Sequence, residues 1–233
     1  MRQATDALGL AKCHESCFSY GMRALIFDLD GTLVESLPGI AGSLNRSLTL
    51  HGLPQHNHAS VRDFIGDGAR KLVERALTGM SRLDLTDSLL EAFAKDYAIA
   101  WPQGTQVYPG IHELLTRLSS DGVPLAVLSN KPHAFTEEIV GKLFPKNTFA
   151  AISGNREGMP HKPDPTGALE IAGTLNLPPE QCTLIGDSVM DLETARNAGM
   201  KSIAVTWGYH DKERLCNADR IADSINELAT ILG

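Results

Sequence analysis

Between residues 24 and 205 the chain repeats one pattern, a short aliphatic run without polar alternation followed by a longer stretch of helical period. The runs are Ala24-Leu25-Ile26-Phe27, Pro124-Leu125-Ala126-Val127-Leu128, Phe149-Ala150-Ala151-Ile152, Thr183-Leu184-Ile185 and Ser202-Ile203-Ala204-Val205. Each reads as a parallel strand covered on both faces. Helices are expected between them at about 110–120, 132–143, 165–175 and 189–198. Such alternation predicts a βαβ sheet.

One region breaks the rhythm. From about residue 37 to about 104 no strand-like run occurs. Leu72, Val73, Ala76 and Leu77, then Leu89, Leu90, Phe93 and Tyr97, recur at helical spacing. This predicts an all-helical insertion after the first strand, closed by Trp101-Pro102-Gln103-Gly104 and returning near Tyr108-Pro109-Gly110. The expected organisation is an N-terminal extension over 1–21, an α/β core over 22–36 and 105–233, and the helical insertion over 37–104. Residues 1–21 show neither apolar period nor turn pattern, and Met22 stands just before the first strand. They read as an upstream-start extension, with the fold beginning near Met22.

Composition narrows the partners. A chain of 233 residues with 42% hydrophobic content can form one sizeable core and a smaller satellite. A formal charge of −7, with no local cluster of Lys and Arg, disfavours nucleic acid and anionic membranes and favours small molecules. No apolar run approaches the roughly eighteen residues of a membrane span, and no secretory h-region opens the chain, so a cytoplasmic location is expected. Monomer and homodimer are both compatible with the sequence. The four cysteines are too scattered for a disulfide framework, and Cys13-His14 with Cys17 lacks a second ligand pair for zinc. His51, His56 and His58 lie in a polar, turn-rich stretch and read as solvated loop residues.

The chemistry concentrates at strand ends. Asp28-Leu29-Asp30-Gly31-Thr32 ends the first strand, where open α/β sheets place ligands. Alone, such a segment could be a capped turn. The second strand ends in Ser129-Asn130-Lys131, the run through Ile185 and Gly186 delivers Asp187 with Asp191 one helical turn on, and His161-Lys162-Pro163 lies between. Parallel strands bring these ends to one edge, which makes a convergent polar site a better reading than four unrelated caps. Phe64-Ile65-Gly66-Asp67-Gly68-Ala69 adds two glycines before a helix beginning near Ala69, either a simple turn or an anion-binding helix start.

In these motifs and their order, residues 22–233 resemble the haloacid dehalogenase-like hydrolases. Asp28 through Ser36, Ile65-Gly66-Asp67-Gly68, Ser129-Asn130-Lys131-Pro132 and Thr206-Trp207-Gly208-Tyr209 look like the phosphoglycolate phosphatases among them. The resemblance implies a doubly wound, Rossmann-like core with a small helical cap. It implies Asp28 as nucleophile, Asp30 as general acid and base, Ser129 and Lys162 on the phosphoryl oxygens, and Thr32 and Asn130 orienting them. It also implies Mg2+ held by Asp28, Asp187 and the Asp30 carbonyl, supported by Asp191, with Gly66, Gly68 and Lys131 contacting a substrate carboxylate. A hard dication suits the purpose, because it offsets the repulsion between a carboxylate and a phosphate.

The implied reaction is hydrolysis of a small phosphate monoester, 2-phosphoglycolate foremost, with pyrophosphate, nucleotides, sugar phosphates or a mutase reaction as alternatives. A dehalogenase has no alkoxide to protonate, so the second acid, Asp30, argues against it. Phosphonate hydrolysis needs a cap lysine, for which Lys71 and Lys95 show no matching motif. A regulatory protein that has lost catalysis is the non-enzyme alternative, and the intact motifs speak against it.

Overall fold

In the computed structural model, which describes residues 23–233, strand β1 (Ala24–Phe27) is enclosed on both sides. Leu25 and Phe27 enter one apolar cluster, Ala24 and Ile26 another. That division explains why the run shows no polar alternation, since successive side chains point to opposite faces and both faces are covered. The readings of residues 1–21, including Cys13, His14 and Cys17, lie outside the described residues.

After β1 the chain forms β2 (Val34–Glu35) and leaves the sheet for four helices, α1 (Leu37–Leu50), α2 (His58–Phe64), α3 (Gly68–Thr78) and α4 (Thr86–Ala100). Single 3₁₀ turns at Leu83–Leu85 and Trp101–Gln103 complete this stretch. The chain returns as β3 (Gln106–Val107), antiparallel to β2, with Glu35 opposite Gln106. Just beyond this pair the Gly39 N–H donates to the Gly104 carbonyl at 3.0 Å. A Cβ on Gly104 would lie 2.4 Å from the Gly39 nitrogen, so only glycine permits this backbone approach.

The remaining elements alternate: α5 (Ile111–Ser120), β4 (Leu125–Pro132), α6 (His133–Leu143), β5 (Ala151–Asn155), α7 (Thr166–Thr174), β6 (Cys182–Gly186), α8 (Val189–Ala198), β7 (Lys201–Val205), β8 (Arg220–Ala222) and α9 (Ile225–Leu232). The six-stranded sheet has the order β5-β4-β1-β6-β7-β8, and every pair is parallel. Residues of α5, α6 and α9 join the cluster holding Leu25 and Phe27, while α7 and α8 cover the opposite face. The first cluster continues into α1, α3 and α4, so the helices share an apolar interior with the sheet layer. The chain moves outward from β1 in both directions, and this switch point puts the ends of β4, β1 and β6 side by side.

Particular residues departed from expectation. The third strand starts at Ala151 rather than Phe149 and runs on through polar Ser153 and Asn155. Phe149 instead meets Phe144 edge-on at 5.4 Å, closing the preceding bend, and the ladder to β4 extends the strand without apolar side chains. β8 and α9 were not foreseen. His56 is no solvated loop residue: its Nε2 lies 2.9 Å from the Ala76 carbonyl and its ring packs edge-on against Phe64. His51 closes α1 with Nδ1 at 2.8 Å from the Ser47 carbonyl, and only His58 of the three is exposed. No helix among the described residues is long and apolar enough to cross a membrane.

Candidate active site

β1, β4 and β6 end at the same edge, and their next residues, together with the segment before α7, supply the polar side chains. Asp28, Asp187 and Asp191 are all buried, and each offers a carboxylate oxygen within 4.8 Å of the others. Among the described residues one cation serves the group. The Lys162 ammonium lies 2.9 Å from Asp28 Oδ1 and 2.7 Å from Asp191 Oδ1. Three carboxylates against one ammonium leave two negative charges in excess, in a place where burying unpaired charge is costly.

The proton affinities register that imbalance. Burial pushes the Asp28 carboxyl up to about 7, with Lys162 opposing and Asp191 and Asp30 reinforcing. Burial, then the charges of Asp28 and Asp191, hold Asp187 well above the usual carboxylate range. Burial works against the charge on Lys162, but Asp191 and Asp28 outweigh it and keep the ammonium protonated. Oxygen donors, two surplus charges and a spacing within 4.8 Å together fit a hard divalent cation.

The orienting bonds are local. Thr32 Oγ1 donates to Asp187 Oδ1 at 3.2 Å, and the Tyr209 N–H donates to Asp187 Oδ2 at 2.6 Å. Asp191 closes a capping box at the start of α8, accepting from Ser188 N at 3.1 Å and from Ser188 Oγ at 2.6 Å. Both its oxygens are therefore engaged, one by Lys162 and one by Ser188. Gly31 has φ +84°, and a Cβ there would lie 2.4 Å from Asp187 Oδ2. Gly31→Ala is accordingly expected to cost about 2–4 kcal/mol through the unfavourable backbone and the clash. Urea unfolding of the variant measures this, and a midpoint equal to the parent's would contradict it.

Asp30 stands apart from the three-carboxylate cluster. Its Oδ1 accepts from Ser36 Oγ at 2.5 Å and its Oδ2 lies 3.0 Å from the Lys131 ammonium. Lys131 is itself buried, with its Nζ 4.7 Å from the centre of the Tyr97 ring. Ser129 Oγ accepts the Lys131 N–H at 3.2 Å. Asn130 ties three segments together: its Oδ1 accepts from the Lys162 N–H at 2.7 Å, and its Nδ2 donates to the carbonyls of Lys162 and, at 2.9 Å, Gly66. Gly66 and Gly68 both have positive φ, and a Cβ on Gly68 would lie 3.0 Å from His161 Cε1. The loop carrying them thus lies directly over the end of β4.

Several contributors were missed from sequence. The Tyr209 hydroxyl accepts the N–H groups of Ser36 and Leu37, at 2.9 and 3.0 Å, and donates to Glu35 Oε1 at 3.1 Å. It satisfies donors at the start of α1 that Ser36 leaves open by turning its own hydroxyl to Asp30. No spacing in the sequence announces this, because the partners are 173 residues apart. Arg75 holds the loop before α3 through the Phe64 carbonyl at 2.9 Å and the Asp67 carboxylate. Arg62 of α2 reaches the Tyr209 carbonyl at 2.5 Å and the Asp211 carboxylate. The Ser188 cap was not read from sequence either, although Ser-x-x-Asp over 188–191 carries the spacing of a capping box.

These groups surround a cavity of about 380 Å³. Asp28, Asp30, Ser129, Lys131, Lys162 and Asp187 line its floor, and side chains of α1, α3, α4 and α6, with Ile65, His161, Tyr209 and His210, line much of the rest.

Comparison with known proteins agrees with this arrangement. The family model "Haloacid dehalogenase-like hydrolase" matches residues 25–205. A phosphoglycolate phosphatase of Yersinia pestis is 34% identical over 200 residues, covering 84% of this chain and 86% of the relative. Its counterpart from Escherichia coli K12 is 32% identical over 234 residues, covering 91% and 93%. A haloacid dehalogenase-like family hydrolase from Streptococcus pneumoniae superposes with a TM-score of 0.83 at 27% identity, covering 91% of this chain and 99% of that one. By its motifs, its sheet order and the span of the family match, the chain belongs to the haloacid dehalogenase-like hydrolases.

Proposed function

We propose that the protein is a phosphoric monoester hydrolase that acts through an aspartyl-phosphate on Asp28, with 2-phosphoglycolate as its foremost substrate. The observation that carries the reading is the buried trio of Asp28, Asp187 and Asp191 around a single lysine. Curated relatives named phosphoglycolate phosphatase, matched along most of their length, support the choice of substrate.

Asp28 attacks phosphorus from the end of β1 and becomes esterified, and water then releases phosphate, so one difficult displacement becomes two easier ones. Leu29 N–H, at 2.7 Å from Asp28 Oδ1, and Lys162 hold the nucleophile's orientation before attack. Lys162 and the Ser129 hydroxyl then face the phosphoryl oxygens. Asp30 protonates the departing alkoxide and deprotonates the attacking water, a role worth about 10²–10⁴-fold. Ser36 and Lys131 keep its carboxylate turned away from the three-carboxylate cluster.

Asp28, Asp187 and the Asp30 carbonyl, with Asp191 in support, would hold Mg2+, which would supply charge compensation for an anion approaching an anion. Lys131, which lines the cavity beside Asp30, is the cation proposed to meet the substrate carboxylate. The segment 37–104 acts as a cap, with Gly66 and Gly68 closing over the core site and contacting the substrate carboxylate, and the core comprises 22–36 and 105–233.

The test is phosphate release from 2-phosphoglycolate, pyrophosphate, a nucleoside monophosphate and a sugar phosphate, each with Mg2+ and with a chelator. Turnover is expected with Mg2+, highest for 2-phosphoglycolate, and is expected to disappear on chelation. Equal, negligible turnover of 2-phosphoglycolate would remove the narrow assignment. Isomerised rather than free phosphate would indicate a mutase.

A further inference from the structure

The cavity is divided by chemistry. Its floor is charged, but beyond Lys131 and Tyr97 its wall is made by Ile65, by Leu72 of α3, by Leu90, Phe93 and Ala94 of α4, and by Phe135 of α6. Arg70, the remaining charged side chain on that wall, is exposed and engaged by Asp87 at 2.5 Å. A volume of about 380 Å³ falls in the range that encloses whole drug-sized ligands, roughly 300–1,000 Å³. The phosphate ester of a two-carbon acid is small enough to be held at the charged floor, where it would leave the apolar wall uncovered. A carboxylate placed against that wall would lose its hydration without gaining a partner, whereas methylene or aryl carbons would gain by burial there.

We infer that the site also takes phosphate monoesters whose alcohol ends in an apolar group of about ring size, seated against Leu72, Leu90, Phe93, Ala94 and Phe135. This rests on the phosphatase reading above and extends it to a second class of substrate. The reacting end is common to both classes: the phosphorus–oxygen bond to the alcohol breaks, Asp30 delivers the proton to the departing oxygen, and water restores Asp28. Only the group beyond the ester oxygen differs.

The linear alkyl phosphates from ethyl to hexyl test the inference, since their alkoxides leave with nearly constant basicity and differences in rate therefore report contacts rather than intrinsic reactivity. With Mg2+, kcat/KM is expected to rise about threefold per methylene, on the order of 50- to 100-fold from ethyl to hexyl phosphate. Ala94→Phe, which fills the chamber, should bring the hexyl-to-ethyl ratio close to one, and Leu90→Gln, which makes the wall polar, should lower it about tenfold. A flat or falling series in the parent enzyme would overturn the inference and leave the phosphatase reading intact.

Binding of methyl- and hexylphosphonate, followed by calorimetry with Mg2+, gives a readout that needs no turnover. Hexylphosphonate binding at least tenfold more tightly supports the chamber, and equal affinities refute it. Absence of turnover for every ester, with phosphonates still bound in that order, would sink the phosphatase reading alone.

Discussion

Asp28→Asn is expected to reduce phosphate release at least about 10⁴-fold while leaving the fold intact. Asparagine has the same shape and its side-chain oxygen can still accept the Leu29 N–H, now 2.7 Å from Asp28 Oδ1. What it lacks is the charge and nucleophilicity that displacement at phosphorus requires. Its effect on stability has the opposite sign. Asp28 is one of three clustered buried carboxylates, two of which share the Lys162 ammonium, and burial has already raised its proton affinity. Removing its charge relieves repulsion on Asp187 and Asp191, and Lys162 keeps its 2.7 Å contact with Asp191. Melting in the absence of metal should therefore occur at the parent's temperature or above it. The stabilisation that Mg2+ gives should shrink, because binding to the native state raises stability only in proportion to affinity. Activity within tenfold of the parent would refute the assignment of Asp28.

The second large effect is expected at Lys162. Lys162→Met keeps the length and apolar stem of the side chain but removes the only ammonium among the described residues that touches Asp28 and Asp191. Breaking a buried pair from one side typically costs about 3–5 kcal/mol, which at this chain size corresponds to roughly 10 °C in melting temperature. Part of that loss should return on adding Mg2+, since a dication compensates the same carboxylates. Turnover should not return with it. The phosphoryl oxygens would still lack their charged partner, and loss of such an electrostatic contact typically lowers kcat about 10²–10³-fold. Thermal melts with and without Mg2+, beside steady-state rates, separate the two roles. A variant with the parent's melting curve in the absence of metal would contradict the charge balance described for the cluster.

The strands of the centre were readable because burial on both faces leaves an unbroken aliphatic run, as in Ala24–Phe27 and Cys182–Gly186. The edges were not. β5 carries Ser153, Gly154 and Asn155, and β8 opens on exposed Arg220, so their strand character comes from pairing and not from their side chains. β2 and β3 are two residues each, too short to show any period.

At the site, the acidic residues stood out because two carboxylates after an apolar strand need a chemical reason. The residues that aim them did not. Tyr209, just after β7, reads from sequence equally as a residue lining the site or as core packing; it does line the cavity, but only the folded chain brings its hydroxyl to the first turn of α1 and its N–H to Asp187. Lys131 was read as a substrate contact from its motif, but its bond to Asp30 and its place over Tyr97 depend on α4 arriving from elsewhere in the sequence.

The antiparallel pair of Glu35 with Gln106 has an evolutionary corollary. Departure and return occur at neighbouring points, so what lies between them can be lengthened, shortened or traded for another module without altering the register of any strand in the large sheet. A change confined to that one stretch would redraw the cavity wall given by α1, α3 and α4 while the strands that carry Asp28 and Asp187 stay in place.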